Sequence, residues 1–312
     1  MEFAPRLSAF AIVLFSSLLA AQNNGWNDDA QKCKDLSGDD AIAACTRAIG
    51  SGQLSQANLA TTYYNRGYEY RAKEQYDTAI ADLTEAIRLD PTMTDAFNNR
   101  AEALHDKGEY DESIADYNAA LRLDPKYAPS VYGLGNAYKS KGEYDKAVDY
   151  YTQALTIDPN VASIFINRGN VHLVQRKLDL AIADYKEALR ANPDGMYPAL
   201  LIAVAKMQKG DSAISDDLAA ESKAFSTAWP SQVVQYYLGK ASEDDMTEAA
   251  RNPDAKTQRG RFCEMYFYLG EWQMFHGQQL RGIESLKRAK EECQPSYYEN
   301  DLVNTELKRL GE

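Results

Sequence analysis

Four prolines recur at a spacing of 34 residues: Pro91, Pro125, Pro159 and Pro193. Each closes a near-copy of one phrase, YDTAIADLTEAIRLDP (76–91), YDESIADYNAALRLDP (110–125), YDKAVDYYTQALTIDP (144–159) and LDLAIADYKEALRANP (178–193). Helix formers dominate all four. The residue before each proline, Asp90, Asp124, Asp158 or Asn192, is steered away from helical backbone, so each phrase reads as a helix with a fixed end. A period of this length means stacked helical hairpins, each too small to bury its apolar face without its neighbours.

The other helix of each hairpin comes before the phrase. Tyr63-Tyr64-Asn65-Arg66-Gly67 returns as Phe97-Asn98-Asn99-Arg100-Ala101, as Val131-Tyr132-Gly133-Leu134-Gly135 and as Phe165-Ile166-Asn167-Arg168-Gly169. Small residues at 67, 101, 135 and 169, answered by Ala79, Ser113, Ala147 and Ala181, mark where two helices come close. Ala86, Ala120, Ala154 and Ala188 continue that face two turns on, and Leu83, Tyr117, Tyr151 and Tyr185 fill the space between. Gly108 and Gly142 stand where the two helices of a hairpin turn, in position for a left-handed cap.

An aromatic residue, a small residue four on, two alanines and a closing proline resemble the tetratricopeptide repeat. The resemblance covers 60–195 as four copies (60–93, 94–127, 128–161 and 162–195). It implies an all-α, right-handed solenoid of antiparallel hairpins with a capping C-terminal helix. Around it we expect an N-terminal hairpin (22–59) turning at Ser37-Gly38-Asp39, and a degenerate fifth hairpin (196–229) with Gly210 in the inter-helix slot. A C-terminal helical region (230–312) follows. It holds short helices over 231–240 and 242–251, one further repeat over 263–296 whose first helix opens at Cys263, and a terminal helix over 297–310.

The chain carries 34 Lys and Arg against 46 Asp and Glu, a net charge of −12. That balance argues against nucleic acid, whose binding is driven by cations releasing counterions. Its 21 tyrosines, against nine phenylalanines and three tryptophans, suit helices with one wet edge. The N-terminus differs in kind: Leu7–Ala21 is apolar and uncharged, and a polar Gln22-Asn23-Asn24-Gly25 follows. We expect residues 1–21 to be a signal peptide cleaved after Ala20 or Ala21, leaving no membrane span in the mature chain and placing it in the periplasm or outside the cell.

Four cysteines, Cys33, Cys45, Cys263 and Cys293, fit an exported, disulfide-bearing chain. Of three possible pairings, sequence distance favours Cys33–Cys45 and Cys263–Cys293. Antiparallel helices of one hairpin would bring the second pair within bonding reach, and each bridge would clamp a terminal hairpin. A zinc site made of all four lacks the usual ligand spacing.

No nucleophile elbow, HExxH pair or phosphate-cradling glycine loop occurs in the sequence. His105, His172 and His276 occupy no shared repeat slot. We therefore expect neither catalysis nor a cofactor. In tetratricopeptide stacks the first helix of each hairpin lines a concave groove. The period places Tyr64, Tyr68 and Arg71 there, then Asn98, Glu102 and His105, then Tyr132, Asn136 and Lys139, and last Ile166, Asn170 and Leu173. Such a face suits a protein or peptide partner. Tyr64 and Tyr68 stand where groove repeats that grip chaperone C-termini carry Lys and Asn, which argues against that clamp.

Tyr237-Leu238-Gly239-Lys240, Cys263–Glu271 and Glu306-Leu307-Lys308-Arg309-Leu310 resemble the NlpI family of bacterial periplasmic repeat lipoproteins. That resemblance implies an envelope adaptor, often dimeric, that brings proteases and cell-wall hydrolases to substrates. No cysteine follows the apolar run to carry a lipid, which favours a soluble form. The reading is a non-catalytic scaffold. An oligomerisation scaffold or a glycan-binding accessory, with tyrosines stacked on sugar rings, stands as the alternative.

Overall fold

The structure is a computed structural model that describes residues 26–211, 214–221, 227–294 and 298–312. The expected signal peptide lies outside the described residues. Among the described residues the chain is all-α. A first helix, α1 (26–35), leads to α2 (Gly38–Gly50). Four hairpins follow: α3 (Gln56–Ala72) with α4 (Tyr76–Leu89), α5 (Thr94–Lys107) with α6 (Tyr110–Leu123), α7 (Ala128–Ser140) with α8 (Tyr144–Ile157), and α9 (Ala162–Val174) with α10 (Leu178–Ala191). Next come α11 (Met196–Lys209), α12 (Ile214–Glu221), α13 (Ser231–Tyr237) and α14 (Glu243–Ala250). The chain closes with α15 (Ala255–Phe275), α16 (Gln279–Glu292) and α17 (Tyr298–Leu310).

The proline phrases become α4, α6, α8 and α10, each ending two residues before its proline. Asp90, Asp124, Asp158 and Asn192 all adopt extended backbone there. In three of these turns the aspartate side chain then accepts from the backbone N–H two residues on: Thr92 at 3.0 Å, Lys126 at 2.9 Å and Asn160 at 3.3 Å. The same residue that stops the helix thus builds the turn.

Glycine sets how closely helices meet. A methyl on Gly67 would fall 2.8 Å from Leu83 Cγ, one on Gly169 2.6 Å from Tyr185 Cε1, and one on Gly270 2.9 Å from Leu286 Cγ. The same device therefore operates in the last hairpin. The tightest approach within the four hairpins α3–α10 is at Gly133, where a methyl would stand 2.3 Å from Tyr117 Cζ. The sequence reading marked Gly135 for that role and passed over Gly133.

A second periodic device was not anticipated. Arg66 Nε and Nη2 donate to Asp82 at 2.6 and 2.8 Å, Arg100 to Asp116 at 2.6 and 2.8 Å, and Arg168 to Asp184 at 3.0 and 2.6 Å. The remaining guanidinium nitrogen donates to a threonine of the preceding helix, Thr46, Thr84 or Thr152. These forked pairs tie the two helices of a hairpin and staple them to the hairpin before. The third repeat carries Leu134 and Tyr150 at the two positions instead.

The described residues up to Ala137 form one compact unit and Tyr138–Glu312 form another. In the first, α2 packs on α3, and α3, α4, α5 and α6 pack in order around buried Ala79, Leu83, Ala101, Leu104 and Tyr117. In the second, α9, α10 and α11 pack in order, α11 packs on α15, and α13 and α14 flank α15. From Pro198 to Ala205 helix α11 is apolar all round and buried, as a helix enclosed by neighbours must be.

Cys33 is bonded to Cys45 and Cys263 to Cys293, with Cα atoms 4.6 and 4.8 Å apart. The expectation that the first helix of this repeat opens at Cys263 is corrected. Cys263 lies two turns inside α15, because Asp254 caps the helix earlier by accepting from Thr257 N–H at 2.7 Å.

Candidate functional site

In the first unit, α3 and α5 expose one face carrying Tyr64, Tyr68 and Arg71 beside Glu102, His105 and Asp106. These positions are spaced by four and three residues, so each helix contributes a single stripe. Tyr68 is the most exposed large side chain of the stripe, at 48% of its surface. Arg71 pairs with two carboxylates of the next hairpin, Glu102 and Asp106, the latter at 3.0 Å. Glu102 also accepts from Asn98 at 3.0 Å, and Asn99 donates to the Tyr64 hydroxyl at 3.1 Å. Tyr127, just before α7, donates to Asp95 at the start of α5.

Tyr64 is held above its ordinary range, by burial first and then by the negative charge of Asp95. Tyr127 is raised by burial, by its bond to Asp95 and by that residue's charge. Tyr117 beneath them is raised by burial and then by Glu102. Each hydroxyl thus senses carboxylates.

Asn98 was expected on this exposed stripe and is instead buried, at 4% exposure. Its side-chain oxygen accepts from Ser130 at 2.9 Å while its amide holds Glu102, so it is a joint between successive hairpins. Tyr132 and Asn136 lie half-buried on α7.

In the second unit the corresponding stripe is covered. Helix α17 packs against α9, α15 and α16, with Leu302, Val303 and Leu307 fully buried beneath it. Lys139, Asn170 and Val174 share one crevice with Asp301 and Leu302 of α17. Burial pushes Lys139 down against the pull of Asp301 and Glu299, and burial pushes Asp301 up against the pull of Lys139. Asn170 is buried and accepts from the Tyr185 hydroxyl at 2.8 Å, Leu173 is buried, and Ile166 packs on the core. The expectation that Ile166, Asn170 and Leu173 form an exposed face is therefore corrected. The period fixes their slot on α9, but the chain's own C-terminal helix and Tyr185 occupy the space in front of it.

The far end of α17 holds a cluster the sequence did not reveal. Gln208 Nε2 donates both to Glu306 Oε1 at 2.9 Å and to Glu271 Oε2 at 3.1 Å, drawing two carboxylates onto one amide. Arg176 and Arg309 donate to Glu306 at 3.3 and 2.6 Å. Glu271 Oε1 is buried with no hydrogen-bond partner. Burial, and then the charge of Glu306, push the Glu271 carboxyl up to about 8. Burial and the neighbouring carboxylate thus both favour the protonated form of Glu271.

His172 is buried 3.7 Å from Asp184 with its pKa lowered by burial, and His276 Nδ1 lies 2.8 Å from the Trp272 carbonyl. Among the described residues no group of three or more His, Cys, Asp or Glu is gathered to hold a metal, and no helix is long and apolar enough to cross a membrane.

Residues 67–108 and 101–142 match the TPR repeat family, and residues 128–161 and 162–194 match the tetratricopeptide repeat family. No curated protein matches the chain. Among solved structures, PilF of Pseudomonas aeruginosa is 17% identical, covers 80% of this chain and 99% of its own, and has a TM-score of 0.49. MamA is 22% identical over 53% of this chain and 91% of its own, with a TM-score of 0.48. YrrB, described as a TPR protein with an unusual peptide-binding site, is 18% identical over 73% of this chain and 97% of its own, with a TM-score of 0.43.

Proposed function

We propose that the chain, whose residues 67–194 match tetratricopeptide repeats, is a non-catalytic scaffold whose α3–α5 face holds a partner polypeptide. The observation that carries this reading is the exposed Tyr68, set among side chains already tied to one another: Arg71 to Glu102 and Asp106, and Asn99 to Tyr64. A face ordered before a partner arrives loses little side-chain freedom on binding, and a half-exposed tyrosine supplies contact area on a stiff ring. Stacked helical repeats are typically interaction surfaces.

Export to the bacterial envelope belongs to the same proposal. It is supported by the apolar Leu7–Ala21 and by two disulfides, bonds that persist in oxidising compartments. The NlpI-like phrases would make it an envelope adaptor.

Selection of displayed 12-residue peptides on the immobilised protein tests the face. Enriched peptides should lose about ten-fold in affinity against Tyr68→Ala, roughly the effect of one interfacial tyrosine. The same substitution should leave the circular dichroism melt within about 0.5 kcal/mol, as surface changes usually do. Peptides that bind the Tyr68→Ala protein as tightly as the parent would place the binding surface elsewhere.

A further inference from the structure

The charge on the α3–α5 face is unbalanced, and the imbalance points to the partner's chemistry. Three carboxylates, Asp95, Glu102 and Asp106, stand against one guanidinium, that of Arg71, and the His105 imidazole, 3.6 Å from Asp106. Arg71 is shared between two of them, so it cannot offer a forked grip to an incoming anion. The lysines at the ends of the two helices are committed away from the stripe: Lys73 to Asp39, and Lys107 to Asp77 and Glu109. The tyrosines report the same sign, since Tyr64, Tyr117 and Tyr127 are each raised in part by the charge of Asp95 or Glu102.

Aromatic rings complete the pattern. Tyr68 is exposed at the middle of the stripe, and Tyr64 stands one turn before it. A tyrosine face attracts a guanidinium or ammonium, and a neighbouring carboxylate strengthens that preference. Acids beside rings reject a phosphate or an acidic tail by the same charges that draw a cation. Within this unit the helices packed on α3 and α5 are their own neighbours α2, α4 and α6, with Ser130 of α7 joined to Asn98.

We propose that the α3–α5 face binds a cationic polypeptide segment, its Lys or Arg side chains seated between Tyr68 and the carboxylates Asp95, Glu102 and Asp106. This rests on the scaffold reading and adds the sign and chemistry of the partner.

The test uses three fluorescein-labelled 12-residue peptides with identical leucine and alanine positions, their six polar positions filled by Arg, Gln or Glu. Anisotropy is read against the full chain. The Arg peptide should bind at least about ten-fold more tightly than the Gln peptide, and that advantage should shrink as salt is raised well past the physiological range, because the Debye length falls to ~3 Å at 1 M. The triple variant Asp95→Asn, Glu102→Gln, Asp106→Asn should lose the Arg preference and keep the Gln-peptide affinity. The control Glu291→Gln, Glu292→Gln removes two charges from the second unit and should leave the preference intact, which separates a local site from the attraction of the whole acidic chain.

Equal affinity for all three peptides, a preference for Glu, or an Arg preference that survives the triple variant would each overturn the proposal. Gln-peptide binding that depends on Tyr68 without any charge preference would leave the scaffold standing and end only this inference. No binding by any of the three would end both.

Discussion

First helices built on one repeat pattern meet opposite fates in this molecule. Helices α3 and α5 keep Tyr68 and Asp106 in solvent, while α9 has Asn170 and Leu173 sealed in. Their hairpins are built alike: Gly67 against Leu83 and Gly169 against Tyr185, Arg66 on Asp82 and Arg168 on Asp184. What differs is outside the repeat. Helix α17 lies on α9 and brings its own leucines, valine and carboxylates to that surface. The repeat dictates that a face exists; a segment with no repeat character decides whether it is available.

Removing the cover is the strongest way to break this contrast. Deleting 298–312 withdraws Leu302, Val303 and Leu307, all fully buried. At ~1.5–3 kcal/mol per buried aliphatic side chain the loss is about 4–9 kcal/mol, enough to unfold much of a unit of ordinary stability. Hydrogen exchange should show protection lost across α9, α11 and α15 and retained in α3 to α6. Equal loss in both units would mean that α17 stabilises the whole chain and that the two faces are not independently governed.

The forked Arg–Asp pairs offer a smaller and sharper comparison, because α17 has no part in them. Arg66→Met and Arg168→Met each strand a buried aspartate, Asp82 or Asp184. Each should cost about 3 kcal/mol, and the double replacement Arg66→Met with Asp82→Leu should recover most of it. His172, 3.7 Å from Asp184, gives the second unit a second cation once it is protonated. As pH is taken from above 6.5 to below it, the Arg168→Met penalty should therefore shrink more than the Arg66→Met penalty. Penalties that stay equal at both pH values would remove His172 from the account.

These pairs show how legibility failed where the signal was present. Arg66, Arg100 and Arg168 repeat every 34 residues with gaps at the third repeat, and so do Asp82, Asp116 and Asp184, at a constant separation of sixteen. Reading only apolar slots missed them. The helix ends were legible because their cause is local: a proline and the residue before it. The starts of α4, α6, α8 and α10 followed from the same phrases. Asn98 and Asn170 were misplaced because slot position is local but burial is not; Ser130 and Tyr185 reach them from other helices. Nothing in the spacing of Glu271, Glu306 and Gln208 announces that three helices will bring them together. The length of α15 was available in Asp254, three residues before Thr257 and just after Pro253, yet the repeat register drew the helix start to Cys263.

The smallest expected effect tests whether the cover is held by a proton. Glu271 is raised from its ordinary 4.5 to about 8, by burial and then by Glu306. The folded chain therefore binds more protons than the unfolded chain between those values, and stability must fall as pH rises through that window. Asp301 and Glu264, also raised by burial, act in the same direction. His172, lowered from 6.5 by burial, opposes them below 6.5. Between pH 6.5 and 8 the proton of Glu271 contributes a slope of at most about 1.4 kcal/mol per pH unit. Melts followed over that interval should shift the transition of the second unit downward and leave that of the first in place. Glu271→Gln keeps an oxygen for Gln208 to donate to and removes the titration, so its slope should be flat. A parent slope as flat as that of Glu271→Gln would mean that Glu271 and Glu306 accommodate both charges through Arg176 and Arg309, and that α17 is held on α9 by its apolar side chains alone.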